Sequence, residues 1–297
     1  MSMSSESSIK TTSSIREEIQ SLFSLNELFE MGVHFGSRYS EPIMTKKYIY
    51  PLKHNNSTIF DLEKTAAMLV DALEKIYEIV ASGKSILMVC TKKTNTTSAL
   101  VKEMNEICGQ YYLTKRWMPG LLTNKTTLKK SIEKIELLKI KLSKDKRPGR
   151  SQKIDATELH KKESKVEGIL TCNFDNIGAV VVLYSENLGI IAHECNLANI
   201  PLIAICDSDT KDHIVTKVNY IIPANDDCIK AIYVYLKLIS HVARKGLEFL
   251  YNKIKKNKDV EDNSIMNKLL KEESVNQLKN ATKNESEKSK TETDKGE

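Results

Sequence analysis

Ser85-Ile86-Leu87-Met88-Val89-Cys90 decides how the rest of the chain reads. After its serine the stretch is a continuous apolar run, too short for an ordinary helix and without the alternation of a strand that has one wet face. Runs of this kind form strands buried on both faces of a parallel sheet. The flanks agree with that reading. Upstream, Asp61 is placed to cap a helix whose Leu62, Ala66, Leu69, Leu73, Ile76 and Val80 fall on one side, and Gly83 ends it. Downstream, a second helix runs from about Asn95 to Cys108 and stops at Gly109. Ser57–Phe60 and Tyr111–Leu113 read as short strands. Ala179–Tyr184, a helix to Ala198, Leu202–Cys206, Tyr220–Ile222 and a long last helix continue the series. Strand–helix alternation predicts an α/β fold, a parallel sheet with helices on both faces.

One segment breaks the alternation. Leu128, Ile132, Ile135, Leu138 and Leu142 recur at gaps of 4, 3, 3 and 4, a stripe narrow enough for a coiled-coil seam. Asp145–Gln152, with Pro148-Gly149, reads as a tip, and Ala156–Glu167 as a shorter returning arm. A helical hairpin inserted at about 125–167 is therefore expected to project from the body. Residues 1–20 read as a flexible tail, 21–251 as the α/β domain and 252–297 as a charged, mostly disordered tail. That last stretch holds 11 Lys and 10 Asp/Glu with few large apolar side chains, too few to bury a core.

Charge is concentrated. Thr114 to Lys165 carries 16 Lys/Arg against 6 Asp/Glu, while the whole chain of 297 residues has a net charge of only +6. A local excess of this kind is the footprint of a phosphate-backbone binder, and a solvated helical face is the bland alternative. The stretch opens on Lys115-Arg116-Trp117-Met118-Pro119-Gly120, which holds the one tryptophan of the chain. Trp117 either stacks on a base or packs in the core, with the core the favoured fate. Asn124 is expected to cap the basic helix that follows. Six cysteines without CxxC spacing read as buried free thiols, and a zinc site at His193 and Cys195 as the weaker reading. No apolar run approaches a membrane span, and the N-terminus lacks the apolar core of a secretory signal.

The sequence carries no complete catalytic motif. Ser82-Gly83-Lys84-Ser85 has Glu78 where a P-loop needs glycine and precedes a strand instead of following one. No GxGxxG follows any strand, and no nucleophile-elbow context surrounds a serine or cysteine. Asp207-Ser208-Asp209 ends a strand where open α/β sheets bind ligands, so its carboxylates either hold Mg²⁺ or cap a turn. Asn225-Asp226-Asp227 reads as the acidic first turn of the last helix. Met31-Gly32-Val33-His34-Phe35-Gly36 reads equally as an RNA-facing loop, with His34 or Phe35 on a sugar or base, and as a packed turn.

In order along the chain, Gly32-Val33-His34-Phe35-Gly36, Tyr48-Ile49-Tyr50, Ile59-Phe60-Asp61-Leu62-Glu63-Lys64-Thr65, Thr91-Lys92-Lys93, Arg116-Trp117, Gly120-Leu121-Leu122-Thr123-Asn124, Ile200-Pro201-Leu202-Ile203-Ala204 and Tyr220-Ile221-Ile222-Pro223-Ala224-Asn225-Asp226-Asp227 resemble bacterial-type ribosomal protein S2 of the small subunit. The resemblance covers about residues 24–250. It implies a flavodoxin-like sheet with a coiled-coil insertion and a structural, non-enzymatic role without cofactor or metal. The implied partners are small-subunit rRNA and neighbouring ribosomal proteins, the large mRNA-binding ribosomal protein among them, in a bacterial cytoplasmic ribosome or, as the alternative, a mitochondrial one. Ser37 stands where the family usually has histidine, and Met118-Pro119 where it has Leu-Gly. The candidate rRNA contacts are Arg38, Lys46, Lys47, Lys92, Lys93, Lys115, Arg116, Lys125, Lys129 and Lys130. The rival readings are an enzyme or nucleotide-binding protein with its pocket around Lys92 and Asp207, and a helical-hairpin adaptor that binds only proteins.

Overall fold

The computed structural model describes residues 15–144, 157, 159, 168–170 and 172–256, with side chains omitted at 141–144. By contact the chain divides into a unit that ends at Leu247 and one that starts at Glu248. The described residues of the second unit, 248–256, are helical and largely exposed.

Two short helices, α1 (15–21) and α2 (Leu25–Glu30), open the first unit, followed by α3 (Pro42–Tyr48). Strands β1 (Ile49–His54) and β2 (Ser57–Phe60) then form an antiparallel hairpin whose turn residues Asn55 and Asn56 sit at φ 48° and 64°. Asparagine tolerates this left-handed backbone, which matches the twist of the two strands. The strand read at Ser57–Phe60 thus forms, but outside the main sheet. Its partner β1 carried no apolar pattern to betray it, since Tyr50 to His54 are all exposed.

Helix α4 (Leu62–Ala81) begins at Asp61, whose carboxylate accepts the Glu63 N–H at 3.2 Å as expected of a cap. From there the alternation takes over: β3 (Ser85–Cys90), α5 (Asn95–Cys108), β4 (Tyr111–Leu113), α6 (Lys125–Lys144), β5 (Ile177–Tyr184), α7 (Leu188–Ala198), β6 (Leu202–Cys206), the single turn α8 (Asp212–Val215), β7 (Tyr220–Pro223) and α9 (229–247 in this unit). The five strands β3 to β7 lie in the order β4-β3-β5-β6-β7, all parallel. This is the flavodoxin-like order, with its reversal between β3 and β5.

The two faces of the sheet bury different residues of the same strands. Ile86, Met88, Val181 and Ile205 point into a cluster roofed by α4, α5 and α9, together with Ile19 and Leu28 from the N-terminal helices. Leu87, Val89, Val182 and Ala204 point the other way, under α7, Trp117, Leu121, Leu122 and the root of α6. The stripe on α6 feeds this second cluster: Ile132 and Ile135 are buried, and Leu128 and Leu159 pack against it. The tip and returning arm expected over 145–167 lie outside the described residues, apart from Thr157 and Leu159, both helical.

Part of the segment read as an N-terminal tail is built into the fold. Residues 15–21 are helical, Ile19 is buried, and Arg16 bridges Asp71 at 2.6 Å and Glu74 at 2.7 Å on α4. One buried isoleucine and one forked ion pair are easily missed in a segment otherwise rich in serine and threonine.

Candidate nucleic-acid interface

In an open α/β sheet the strands deliver their carboxyl ends to one edge, and the crevice at the reversal point is the natural ligand site. Here the edge divides into a basic half over β3 and β4 and an acidic half over β5, β6 and β7.

The basic half is a cleft of about 510 Å³. Lys92 and Lys93 from the end of β3 and Lys115 and Arg116 from the end of β4 line it, opposed by one acid, Glu186. Lys93 meets Glu186 at 3.0 Å, but both side chains are mostly exposed, so water screens the pair. Lys115 and Arg116 have no ionic partner among the described residues. The first turn of α5 also opens here. Its N-cap, Thr94, makes no capping hydrogen bond, and the turn contains no acid.

Just beyond Arg116 the chain dives into the core. Trp117 is 1% exposed, the core fate favoured from its sequence. Its Nε1 donates to Oε1 of Glu194 at 3.2 Å, and the same oxygen accepts the Gly120 N–H at 2.8 Å. The second oxygen, Oε2, accepts the Leu122 N–H at 3.1 Å. Gly120 has φ +90°, a conformation costly for any side chain, which lets the turn wrap the carboxylate. Glu194 on α7 is itself 5% exposed. A buried charge survives when its lone pairs are taken up, and three N–H donors do so here. Sequence reading missed it, although one acid inside the apolar run Leu188-Gly189-Ile190-Ile191-Ala192-His193-Glu194 was the available signal. Asn124 precedes α6: its backbone carbonyl accepts the Leu128 N–H at 3.3 Å, and its side chain accepts the Thr126 hydroxyl at 3.5 Å.

In the acidic half the charges are turned inward. Lys92 Nζ donates to Oδ1 of Asp227 at 3.0 Å and to the carbonyls of Asp226 and Asp227, and it sits 5.1 Å from the centre of the Tyr184 ring. Its side chain is only 16% exposed. Asp207, buried, accepts the Ser37 hydroxyl at 2.9 Å and the Ser208 N–H at 2.6 Å. Gly36 passes so close that a Cβ there would lie 2.4 Å from Thr58 Oγ1 and 3.1 Å from Asp207 Oδ1, so nothing larger fits. Asp207 groups with Asp226 and Asp227, not with the exposed Asp209; ligand oxygens of the three lie within 4.8 Å of one another. Hard oxygen donors so arranged suit a divalent cation. Burial first, then Asp207 and Asp227, push the Asp226 carboxyl up to about 8. Asp226 and Asp227 also precede α9 instead of forming its first turn, and Asn225 Oδ1 accepts the N–H groups of Asp227 and Cys228 at 2.8 and 3.1 Å.

The remaining candidates fall in two other places. Lys125 and Lys129 converge on Asp175 at 3.2 and 3.0 Å, which holds that carboxyl below its usual range, while Lys130 projects into solvent. Arg38, Lys46 and Lys47 are exposed near the β1–β2 hairpin, with Lys53 donating to the Arg38 carbonyl at 3.5 Å. The histidine loop is a packed turn: His34 is 6% exposed, stacked on Phe29 at 4.3 Å and against Phe35 at 4.0 Å. Burial, then the nearby His54, lowers the His34 pKa. Phe35 keeps a partly exposed face.

Residues 28–246 match the family model described as Ribosomal protein S2. The chain is 35% identical over 230 residues to the small ribosomal subunit protein uS2 of Rickettsia typhi, with 75% of each chain covered. It is 33% identical over 235 residues to the protein of that name from Acidobacterium capsulatum, covering 77% of this chain and 75% of the relative. The Ehrlichia ruminantium protein of that name is 34% identical over 224 residues, covering 73% and 75%.

Proposed function

Because the chain belongs to the ribosomal protein S2 family, we propose that it is a structural, non-enzymatic component of the small ribosomal subunit that binds rRNA and neighbouring ribosomal proteins in support of translation. The match over residues 28–246 carries this reading. The rival enzyme around Lys92 and Asp207 is disfavoured by the chemistry of those groups: Lys92 is held by Asp227 and Asp207 by Ser37, so neither is poised to act on a substrate.

The finer assignments rest on charge and exposure. Lys93, Lys115 and Arg116 at the cleft are the contacts best placed to meet phosphates, with Arg38, Lys46, Lys47 and Lys130 as outlying ones. Lys125 and Lys129 reach RNA only by giving up Asp175, and Lys92 serves the fold. The expected insertion at about 125–167 and the large mRNA-binding ribosomal protein are the protein-facing part of the proposal. Among the described residues no helix is long and apolar enough to cross a membrane. The named relatives are bacterial, which favours a bacterial cytoplasmic ribosome over a mitochondrial one.

Sedimentation of native extract through a sucrose gradient tests the reading. Co-migration with the small subunit at moderate salt is expected; a chain that stays at the top of the gradient at every salt concentration overturns it.

A further inference from the structure

The cleft between β3, β4 and α5 is larger and more polar than contact with passing phosphates requires. Its volume, about 510 Å³, lies in the range of pockets that enclose small molecules, ~300–1,000 Å³. Two of its lining residues, Thr91 and Thr114, are 9% and 6% exposed. Neither side chain has a hydrogen-bond partner among the described residues, although the backbone N–H of Thr91 is bonded to Tyr184. Hydroxyls that spend nothing inside the protein and open onto a cleft wall are free to bond a polar ligand there. Around them stand Asn95 and Ser98 of α5, Asn187 opposite, and the cations Lys93, Lys115 and Arg116. The first turn of α5, uncapped and free of acids, adds N–H groups that favour an anion.

We propose that this cleft is the seat of one unstacked ribonucleotide of the rRNA. Its phosphate lies against Lys93, Lys115, Arg116 and the first turn of α5, and its sugar and base meet the hydroxyls and amides of Thr91, Thr114, Ser98, Asn95 and Asn187. Single-stranded or bulged RNA offers such splayed nucleotides, and hydroxyl and amide groups read their edges. The inference rests on the rRNA-binding reading above and sharpens it from phosphate contact to enclosure of a whole nucleotide. A free nucleotide presents the same phosphate, sugar and base, so the test separates the two sources.

Full-length wild type, the T91V/T114V double variant, the cleft-filling variant Ser98→Phe and the distant control Lys75→Gln are titrated with small-subunit rRNA at fixed salt, with folding checked by circular dichroism. The double variant and Ser98→Phe are each expected to weaken binding roughly tenfold, and Lys75→Gln to leave it unchanged. Wild-type binding that both cleft variants retain in full overturns the seat while the rRNA reading stands. No rRNA binding by wild type overturns the rRNA reading itself. In a second arm, which needs no variant, the four nucleoside 5′-monophosphates are added to isotope-labelled protein. If they shift the resonances of Thr91, Thr114 and residues 95–97 while rRNA binding ignores Ser98→Phe, the ligand is a free nucleotide and the rRNA assignment falls.

Discussion

The basic and acidic halves of the strand-end edge use their charges for different ends. Over β5 to β7 the charges face each other: Lys92 is folded onto Asp227, and Asp207 is held by Ser37 and Ser208. Over β3 and β4, Lys115 and Arg116 face water with no ionic partner among the described residues. Directly beneath them the inward pattern resumes, where Glu194 takes three N–H groups from the Trp117 loop. Charges spent inside the molecule set its shape, and charges left outside are available to a partner. Lys92 and Lys93 are neighbours in sequence and fall on opposite sides of that division.

The largest effect should come from the innermost charge. Glu194→Ala leaves three N–H donors without an acceptor, two of them buried and each of those worth about 1–3 kcal/mol, so a total loss of roughly 3–5 kcal/mol is expected in urea unfolding. As the only tryptophan of the chain, Trp117 supplies the readout, and its emission should shift to the red in the native baseline. A variant as stable as wild type would show that the loop is held by packing alone.

Next in size is a crossed pair. Lys92→Met removes the cation from beside two carbonyls and a carboxylate and should cost about 1–3 kcal/mol of stability. Lys115→Gln/Arg116→Gln should change stability by less than about 0.5 kcal/mol. It should instead weaken rRNA binding and flatten its salt dependence by roughly one unit of log–log slope per lost contact. If the two variants exchanged phenotypes, the division between inward and outward charge would be wrong.

An effect that grows with pH should appear at Asp226. The unfolded chain releases this proton in the ordinary carboxylate range near 4, whereas the folded chain holds it to about 8. Across that window the folded state binds more protons, so stability falls as pH rises and levels off above the folded value. Asp226→Asn cannot ionise and escapes the loss. Its melting temperature should match wild type near pH 4 and exceed it increasingly toward pH 8. Parallel melting curves across that range would mean that the three carboxylates are not crowded in solution, or that a bound cation already relieves them.

How far these halves were legible in the sequence follows from the range of the forces involved. The strands Ser85–Cys90 and Tyr111–Leu113 and the ends of α4 and α5 are local matters of apolar run, cap and Gly109, and they stand where they were read. The basic cleft was visible as a list of cations, because Lys115 and Arg116 lie together in the chain. The pairing of Lys92 with Asp227 was not readable, because the two lie 135 residues apart and no local pattern reports a contact of that span. The grouping of Asp207 with Asp226 and Asp227 was hidden for a related reason: the strand order brings them together across the sheet, and no local pattern reports it. Strand β1 escaped because its residues 50–54 are exposed, which leaves it no buried face and no periodicity to read.

The smallest effect tests whether half-spent charges belong to either class. Lys125 and Lys129 share Asp175 in open solvent, so the pairing holds the carboxyl ionised without contributing to the core. Asp175→Asn should therefore leave the melting temperature unchanged within error. The same change releases two lysines at the root of α6, and rRNA affinity should rise slightly, with a steeper dependence on salt than wild type. If these lysines behave as the inward class does, the variant will melt lower and bind no better. Such a result would move the boundary between shape and contact outward onto α6, leaving Lys93, Lys115 and Arg116 as the cations of this side of the molecule that the RNA meets.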